Sequence, residues 1–421
     1  MADIRRRTVL RAGALAAMAG AAGCGVLERT AGTGDFVRVA VSWSATELAA
    51  FRAVLAGRGV DDYELVPFGD DIDAALGART SGRPHLLALP RPGLVSGSLA
   101  RLEQLPDDVG QSEQGPSWIN DLPAVRRYVL PFKLAHKSVV WYRRTVFTDL
   151  GLTPPTTWQE WIELVDALIA EPEVGFPLSL GAADGWMLAG FFENILLRNF
   201  VRTYDALSKP GHDARLWRSG EVRATFDMLG ELWGRPGVLA GGSRRALVQQ
   251  FPDAVLEVFK YRRAVMVVAP DFTESVIRHF GVHSDEIATF TFPSIATPGG
   301  PLVAAGDLFV LTRPAPRSAI DLIRYLSTPQ APVPWIRDTG GFLAANPHTD
   351  PKNYSPILTE LSKQLRTEAT RFGLADQLGP VGGRDGLQLV LQDFLRRVGT
   401  GGARGDAVTA ALDAMVSAEA S

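Results

Sequence analysis

An α/β fold is predicted, with a mainly parallel sheet flanked by helices, and three observations predict it. Period-two apolar runs alternate with helical-period runs in the early part of the chain. The connections between them are short, which favours parallel strands with helices on both faces. At 421 residues the chain is long enough for two such domains.

The elements follow in order. Residues 36–41 put Val37, Val39 and Val41 on one face of a strand. Thr46 opens a helix carrying Leu48, Phe51, Val54 and Leu55 at helical spacing, and Gly57 and Gly59 stop it. Residues 63–68 form a second strand, 71–79 a second helix, and 85–89 a short apolar strand ended by Pro90 and Pro92. A second module contains a strand-like stretch at 138–142. Pro154 and Pro155 punctuate before Thr157-Trp158-Gln159-Glu160, a capping box opening a helix with Ile162, Val165, Leu168 and Ile169 on one face. Helices are expected at 185–207 and 219–233. The continuous apolar run 264–269 reads as a buried strand, and 287–292 as another. Pro298-Gly299-Gly300-Pro301 marks a loop. The apolar run 302–311 is interrupted by Gly306 and Asp307, 319–326 is helical, and the remainder to 421 is mainly helical.

Composition bounds the function. Lys and Arg number 43 against 46 Asp and Glu, a formal net charge of −3, so no excess positive surface is available for nucleic acid. A hydrophobic content of 46% supplies material for cores and argues against disorder. At the start, Arg5, Arg6 and Arg7 precede an uncharged run at 12–22, too short to span a bilayer but suited to an export signal. Residues 6–11 also resemble a twin-arginine signal. The single cysteine, Cys24, follows Ala21-Ala22-Gly23, the pattern of a bacterial lipobox in which the thiol is lipidated. We expect residues 1–24 to be a signal peptide and 25–35 a small, polar tether. With one cysteine there is no internal disulfide.

Familiar catalytic signatures are missing: no G-x-x-x-x-G-K-[ST], no G-x-S-x-G and no H-E-x-x-H occurs. The stretch 399–405 misses G-x-G-x-x-G by one position and follows a helix rather than a strand. His279 and His283 share a helical spacing without further ligands nearby, so no metal and no cofactor is expected. Arg404-Gly405-Asp406 reads as a loop.

An ordered set of stretches carries a family resemblance: Val39-Ala40-Val41-Ser42-Trp43, Pro90-Arg91-Pro92-Gly93, Pro131-Phe132-Lys133 with Ser138-Val139-Val140-Trp141-Tyr142, Pro155-Thr156-Thr157-Trp158, Glu193-Asn194-Ile195-Leu196-Leu197-Arg198, Gly306-Asp307-Leu308 and Gly340-Gly341-Phe342-Leu343. Together they resemble a family 1 extracellular solute-binding protein of an ABC sugar importer, most like the α-glucoside-type branch. The resemblance covers nearly all of the chain beyond the tether. It implies a two-lobe periplasmic-binding-protein fold (type II-like), each lobe a mainly parallel sheet, with a hinge, a ligand cleft between the lobes and a helical C-terminal region. It assigns residues 36–136 plus 304–330 to lobe 1 and 137–303 plus 340–421 to lobe 2, with crossings near 134–137, 303–306 and 326–342. It implies a binding protein rather than an enzyme, held by its lipid anchor at the outer face of the cytoplasmic membrane. The cleft would capture a small carbohydrate for permease subunits, and the protein would act as a monomer whose cleft closes by hinge motion.

A sugar offers an apolar C–H face and a rim of hydroxyls, which call for aromatic rings and charged hydrogen-bond partners. Nine tryptophans are available. Trp43 lies past the carboxyl end of the first strand, where open sheets bind ligands; the alternative is a core ring. Trp186 matches a tryptophan of the resembled branch. Asp307, after Gly306, interrupts an apolar run at a carboxylate's cost, so it binds a hydroxyl or caps backbone. Asp71 either caps its helix or reaches the ligand. Phe342, beside the third expected crossing, completes the candidate set. Lys133 is read as solvent-exposed, and Trp141, Trp158, Trp161 and Trp335 as structural. His85 stands where relatives often carry an acid, and Ala305 where the branch often has glycine. A secreted glycosidase, a sensor component and a sugar-phosphate binder using Arg244-Arg245 or Arg262-Arg263 are the alternatives.

Overall fold

Twelve strands build two sheets in the computed structural model, which describes residues 36–43, 45–59, 62–78, 83–109, 125–295 and 299–420. The expected signal peptide, Cys24 and tether lie outside the described residues. In chain order the strands are β1 (Val37–Val41), β2 (Tyr63–Pro67), β3 (Leu86–Leu89), β4 (Leu102–Glu103), β5 (Val129–His136), β6 (Val139–Arg143), β7 (Phe176–Ser179), β8 (Ala264–Val268), β9 (Ile287–Thr291), β10 (Leu302–Thr312), β11 (Leu343–Ala344) and β12 (Thr370–Phe372). The larger sheet runs β11-β5-β10-β3-β1-β2, with β12 and β4 pairing opposite ends of β10. The smaller runs β7-β8-β6-β9.

The early βαβ reading holds. The helices Ala45–Ala56 and Ile72–Gly77 carry the chain across, and β1 lies parallel to both β2 and β3. The expectation of mainly parallel sheets does not hold. β10 runs antiparallel to β3 and β5, β11 antiparallel to β5, and β6 antiparallel to β8 and β9. Both sheets are mixed because their later strands arrive from distant segments, whose direction no local helix crossover fixes.

The capping box forms as read: the Thr157 hydroxyl accepts from Glu160 N, and the Glu160 carboxylate accepts from Thr157 N. Trp141 and Trp161 are fully buried, consistent with their structural reading. The C-terminal helices Leu387–Gly399 and Arg404–Glu419 pack with Trp186–Asn199 and Gly220–Trp233 into one core over the smaller sheet.

β5 was not expected as a strand, because Pro131, Lys133 and His136 break its apolar run. Its pairing with β10 explains how proline is admitted. Asp307 opposes Lys133 while the next residue, Leu308, opposes Pro131, so Phe132 is the extra residue of a β-bulge. Gly306 belongs to the same irregularity: a Cβ there would sit 2.4 Å from the Lys133 carbonyl oxygen, so only glycine allows the two strands to approach this closely. The interruption read at Gly306-Asp307 therefore lies opposite a bulge in β5, within one continuous eleven-residue strand.

The chain passes between the sheets at 137–138, again between β9 and β10, and finally just past β12. The three passages lie side by side. Lys137 N donates to Val303 O (2.9 Å), Val303 N to Ser138 Oγ (2.8 Å) and Gly373 N to Ala304 O (2.8 Å). The third passage corrects the expected crossing at 326–342 and the assignment of all of 340–421 to lobe 2. Leu343–Ala344 and Thr370–Phe372 join the larger sheet, and only from Leu374 does the chain pack with the smaller one. A buried ion cluster marks the junction: Lys137 Nζ lies 2.8 Å from Glu193 Oε2 and 3.3 Å from Asp376 Oδ2. Burial alone would lower the Lys137 pKa, but Asp376 and Glu193 hold it above its ordinary value, so the ammonium stays charged.

Candidate functional site between the two sheets

The bulge fixes the centre of the site. Asp307 and Lys133 are the last directly opposed pair before it, which puts their side chains on one face of the sheet and within electrostatic range of each other. Lys133, expected in solvent, is 3% exposed. Its Nζ donates to Glu47 Oε1 at 2.5 Å and lies 5.0 Å from the ring centroid of Phe272 and 5.2 Å from that of Trp335. Glu47 sits in the first turn of the helix after β1, and Phe272 in the segment after β8. The ammonium thus bridges the two sheets. Burial alone would depress its pKa, but Glu47, then Asp307 and Asp271, raise it above the ordinary value.

Asp307 Oδ2 accepts from Trp43 Nε1 at 2.9 Å. Burial pushes its carboxyl up to about 6, with Glu47 adding to the rise and Lys133 and the Trp43 N–H opposing it. Asp271 is fully buried; its Oδ1 accepts from His136 N at 2.6 Å, and burial pushes its carboxyl up to about 7 against the pull of Lys133. Asp271 Oδ2, Thr273 Oγ1 and Trp335 Nε1 are buried polar atoms without a hydrogen-bond partner among the described residues. Groups of this kind are costly and uncommon, and here three belong to one region.

Trp43 is 3% exposed, with Phe51 at 4.8 Å, Trp335 at 5.0 Å, Phe309 at 6.0 Å and Phe132 at 6.4 Å between ring centroids. Its ring belongs to the core on the larger sheet, and its N–H reaches Asp307 from there. Trp186 behaves differently. It opens the helix Trp186–Asn199, is half-buried, and lies 5.2 Å from Phe251 and 5.9 Å from Phe272. Gly185 before it has φ 78° and packs against Gln388, so the tight approach fixes where the indole starts. Phe342 is fully buried beneath Trp335 (5.0 Å) and Phe132 (5.2 Å). Asp71 is exposed at the start of its helix, makes no side-chain cap, and joins none of these contacts. The fold therefore gathers Trp43, Gly306, Asp307 and, through Phe272 and Lys133, Trp186; it puts Phe342 one layer below and Asp71 apart.

Sequence reasoning missed Glu47, Asp271 and Phe272, and misplaced Lys133. Two signals were present. A lone lysine inside the largely apolar run 129–135 has to find a partner. An acid two residues past the apolar run 264–269 stands at a strand's carboxyl end. Three of the four arginines weighed as phosphate ligands are occupied: Arg262 pairs with Glu286 (2.7 Å), and Arg245 and Arg263 both pair with Glu257. His85 Nδ1 accepts from Arg38 N at 3.2 Å, a local role beside β1.

Comparisons with known proteins agree with this architecture. Residues 80–331 match the model of the family described as bacterial extracellular solute-binding protein. The chain is 28% identical over 322 residues to the osmoprotective compounds-binding protein GgtB of Synechocystis sp., covering 72% of this chain and 74% of that one. It is 25% identical over 325 residues to the alpha-glucosides-binding periplasmic protein AglE of Rhizobium meliloti, covering 70% and 69%. Among solved structures, a chitin oligosaccharide binding protein superposes with a TM-score of 0.72 at 15% identity, covering 92% of this chain and all of that one. The maltose-bound MalE3 of T. maritima superposes with a TM-score of 0.67 at 16% identity, covering 90% and 99%. With two lobes joined by three adjacent passages and more than half of its length within the family match, this chain is a member of the bacterial extracellular solute-binding protein family.

Proposed function

We propose that this protein is the carbohydrate-capturing component of an ABC importer, tethered outside the cytoplasmic membrane through Cys24 and working as a monomer with permease subunits. The observation that carries the reading is the interlobe cluster. Carboxylates of Asp307, Asp271 and Glu47 lie beside aromatic faces of Phe272 and Trp335, with Trp186 at its edge. Carboxylates accept strongly from hydroxyls, and rings cover the C–H face of a sugar. The names of the relatives, which include sugar and glucoside binders, point the same way. Capture rather than turnover is the expected chemistry. The adjacent passages at Ser138, Val303 and Gly373 would serve as the hinge, so that closure on a ligand presents both lobes to the permease.

The test is a thermal-shift panel on the chain from residue 25, with α- and β-linked glucosides, maltodextrins, monosaccharides and polyols. At 100-fold excess over Kd a bound sugar stabilises the folded form by about 2.7 kcal/mol, a rise of several degrees. A hit recovered unaltered supports the reading. No shift with any carbohydrate, or hydrolysis of the hit, overturns it.

A further inference from the structure

We infer that Lys133 is a counter-ion built into the site, so that the cleft admits uncharged carbohydrate and rejects phosphorylated or acidic ligands. The inference rests on the reading of this cleft as the binding site. A buried lysine in a solute site is ordinarily an invitation to an anion. Here its charge is already spent. The ammonium is held at 2.5 Å by Glu47, faces Asp307 and Asp271 electrostatically, and is covered by the rings of Phe272 and Trp335.

The charges around it do not balance in favour of an anion. Across the same interface Glu274 accepts from Gly341 N (2.9 Å), and its carboxylate is the partner of Arg278 (3.2 Å). His136 is buried and held neutral, its pKa pushed down to about 4 by burial. Lys133 and Arg278 thus each already have a carboxylate partner, Glu47 and Glu274, and the carboxyls of Asp307 and Asp271 lie beside Lys133. A phosphate entering would meet like charge, or would have to pull Lys133 from Glu47; a neutral hydroxyl loses neither contact and can donate to the same oxygens. Lys133 keeps carboxylates tolerable inside a closed cleft while leaving acceptor positions for hydroxyls.

The experiment compares wild type with Glu47→Gln and with Glu47→Gln/Asp307→Asn by thermal shift and titration. The probes are inorganic phosphate, glucose 6-phosphate, glucuronate and the matching neutral sugars. Glu47 is partly exposed at a helix start, so the single variant is expected to fold even if the double does not. Wild type should show no response to any anion up to millimolar concentration. Freeing Lys133 should create phosphate binding that strengthens by about tenfold or more from wild type to single to double variant and weakens with added salt. Binding of any anion by wild type, or no gain in either variant, overturns the inference. Because the phosphate arm requires no sugar, it judges the counter-ion role separately. Silence of the neutral sugars alone would sink the carbohydrate reading.

Discussion

The two sides of the interface between the sheets are built differently. On the larger-sheet side, Trp43 and Trp335 are locked among Phe51, Phe132, Phe309 and Phe342, and the site is reached by single polar atoms: an indole N–H, the Asp307 carboxylate and the Lys133 ammonium. On the smaller-sheet side, Trp186, Phe251 and Phe272 form a looser group of half-buried rings. One side holds charge in a rigid frame; the other offers faces. That division suits a hinged binder, because buried carboxylates must be positioned before the ligand arrives, whereas a ring face tolerates small differences in seating.

Four measurements would break or sharpen this contrast. The largest effect is expected for Trp43→Ala, which empties a core position and strips Asp307 of its donor: a loss of about 3–5 kcal/mol by urea unfolding. If instead stability held and only ligand binding fell, Trp43 would belong with the facing rings. Trp186→Ala should show the reverse, a binding loss of about 2 kcal/mol, or roughly 30-fold in Kd, with under about 1 kcal/mol of stability change.

The third test concerns the rigid side's charges. The carboxyls of Asp271 and Asp307 are pushed up to about 7 and about 6, so the folded state holds their protons more tightly than the unfolded chain does. Their stabilising contribution is full below about pH 4 and is lost as pH rises through 6 to 7. His136, lowered to about 4, acts oppositely and favours the folded state as pH rises towards its ordinary value. Asp271→Asn should therefore tilt the stability–pH curve upward by about 1.4 kcal/mol per pH unit between pH 4 and 7, relative to wild type. An unchanged slope would mean that Asp271 is hydrated and outside the buried cluster. The smallest effect is expected for Asp71→Ala. This exposed, uncapped side chain should leave stability within about 0.5 kcal/mol, and any loss of sugar binding would bring it into the site after all.

Local pattern carried much of the fold. The first βαβ units, the capping box at Thr157 and the buried strand at 264–269 were legible because each is encoded within a few residues by periodicity or side-chain chemistry. Of the site, Trp43 and Trp186 stood out as conspicuous rings at element ends, and Asp307 as a costly carboxylate within an apolar run. β5 was not legible, since its proline and lysine are tolerable only through a bulge in its pairing with β10, more than 160 residues away.

The sequence by itself determined the locally encoded helices and strands and pointed to residues of unusual cost: an aspartate set into an apolar run, a glycine before it, and a tryptophan at each of two element ends. Tertiary structure alone decided that the aspartate and the lysine answer each other, that Glu47 and Phe272 close around them from different lobes, and that Trp43 faces a core while Trp186 keeps an open side. The physical reason is that burial and charge pairing depend on which distant strands become neighbours, and in mixed sheets no local period specifies that choice.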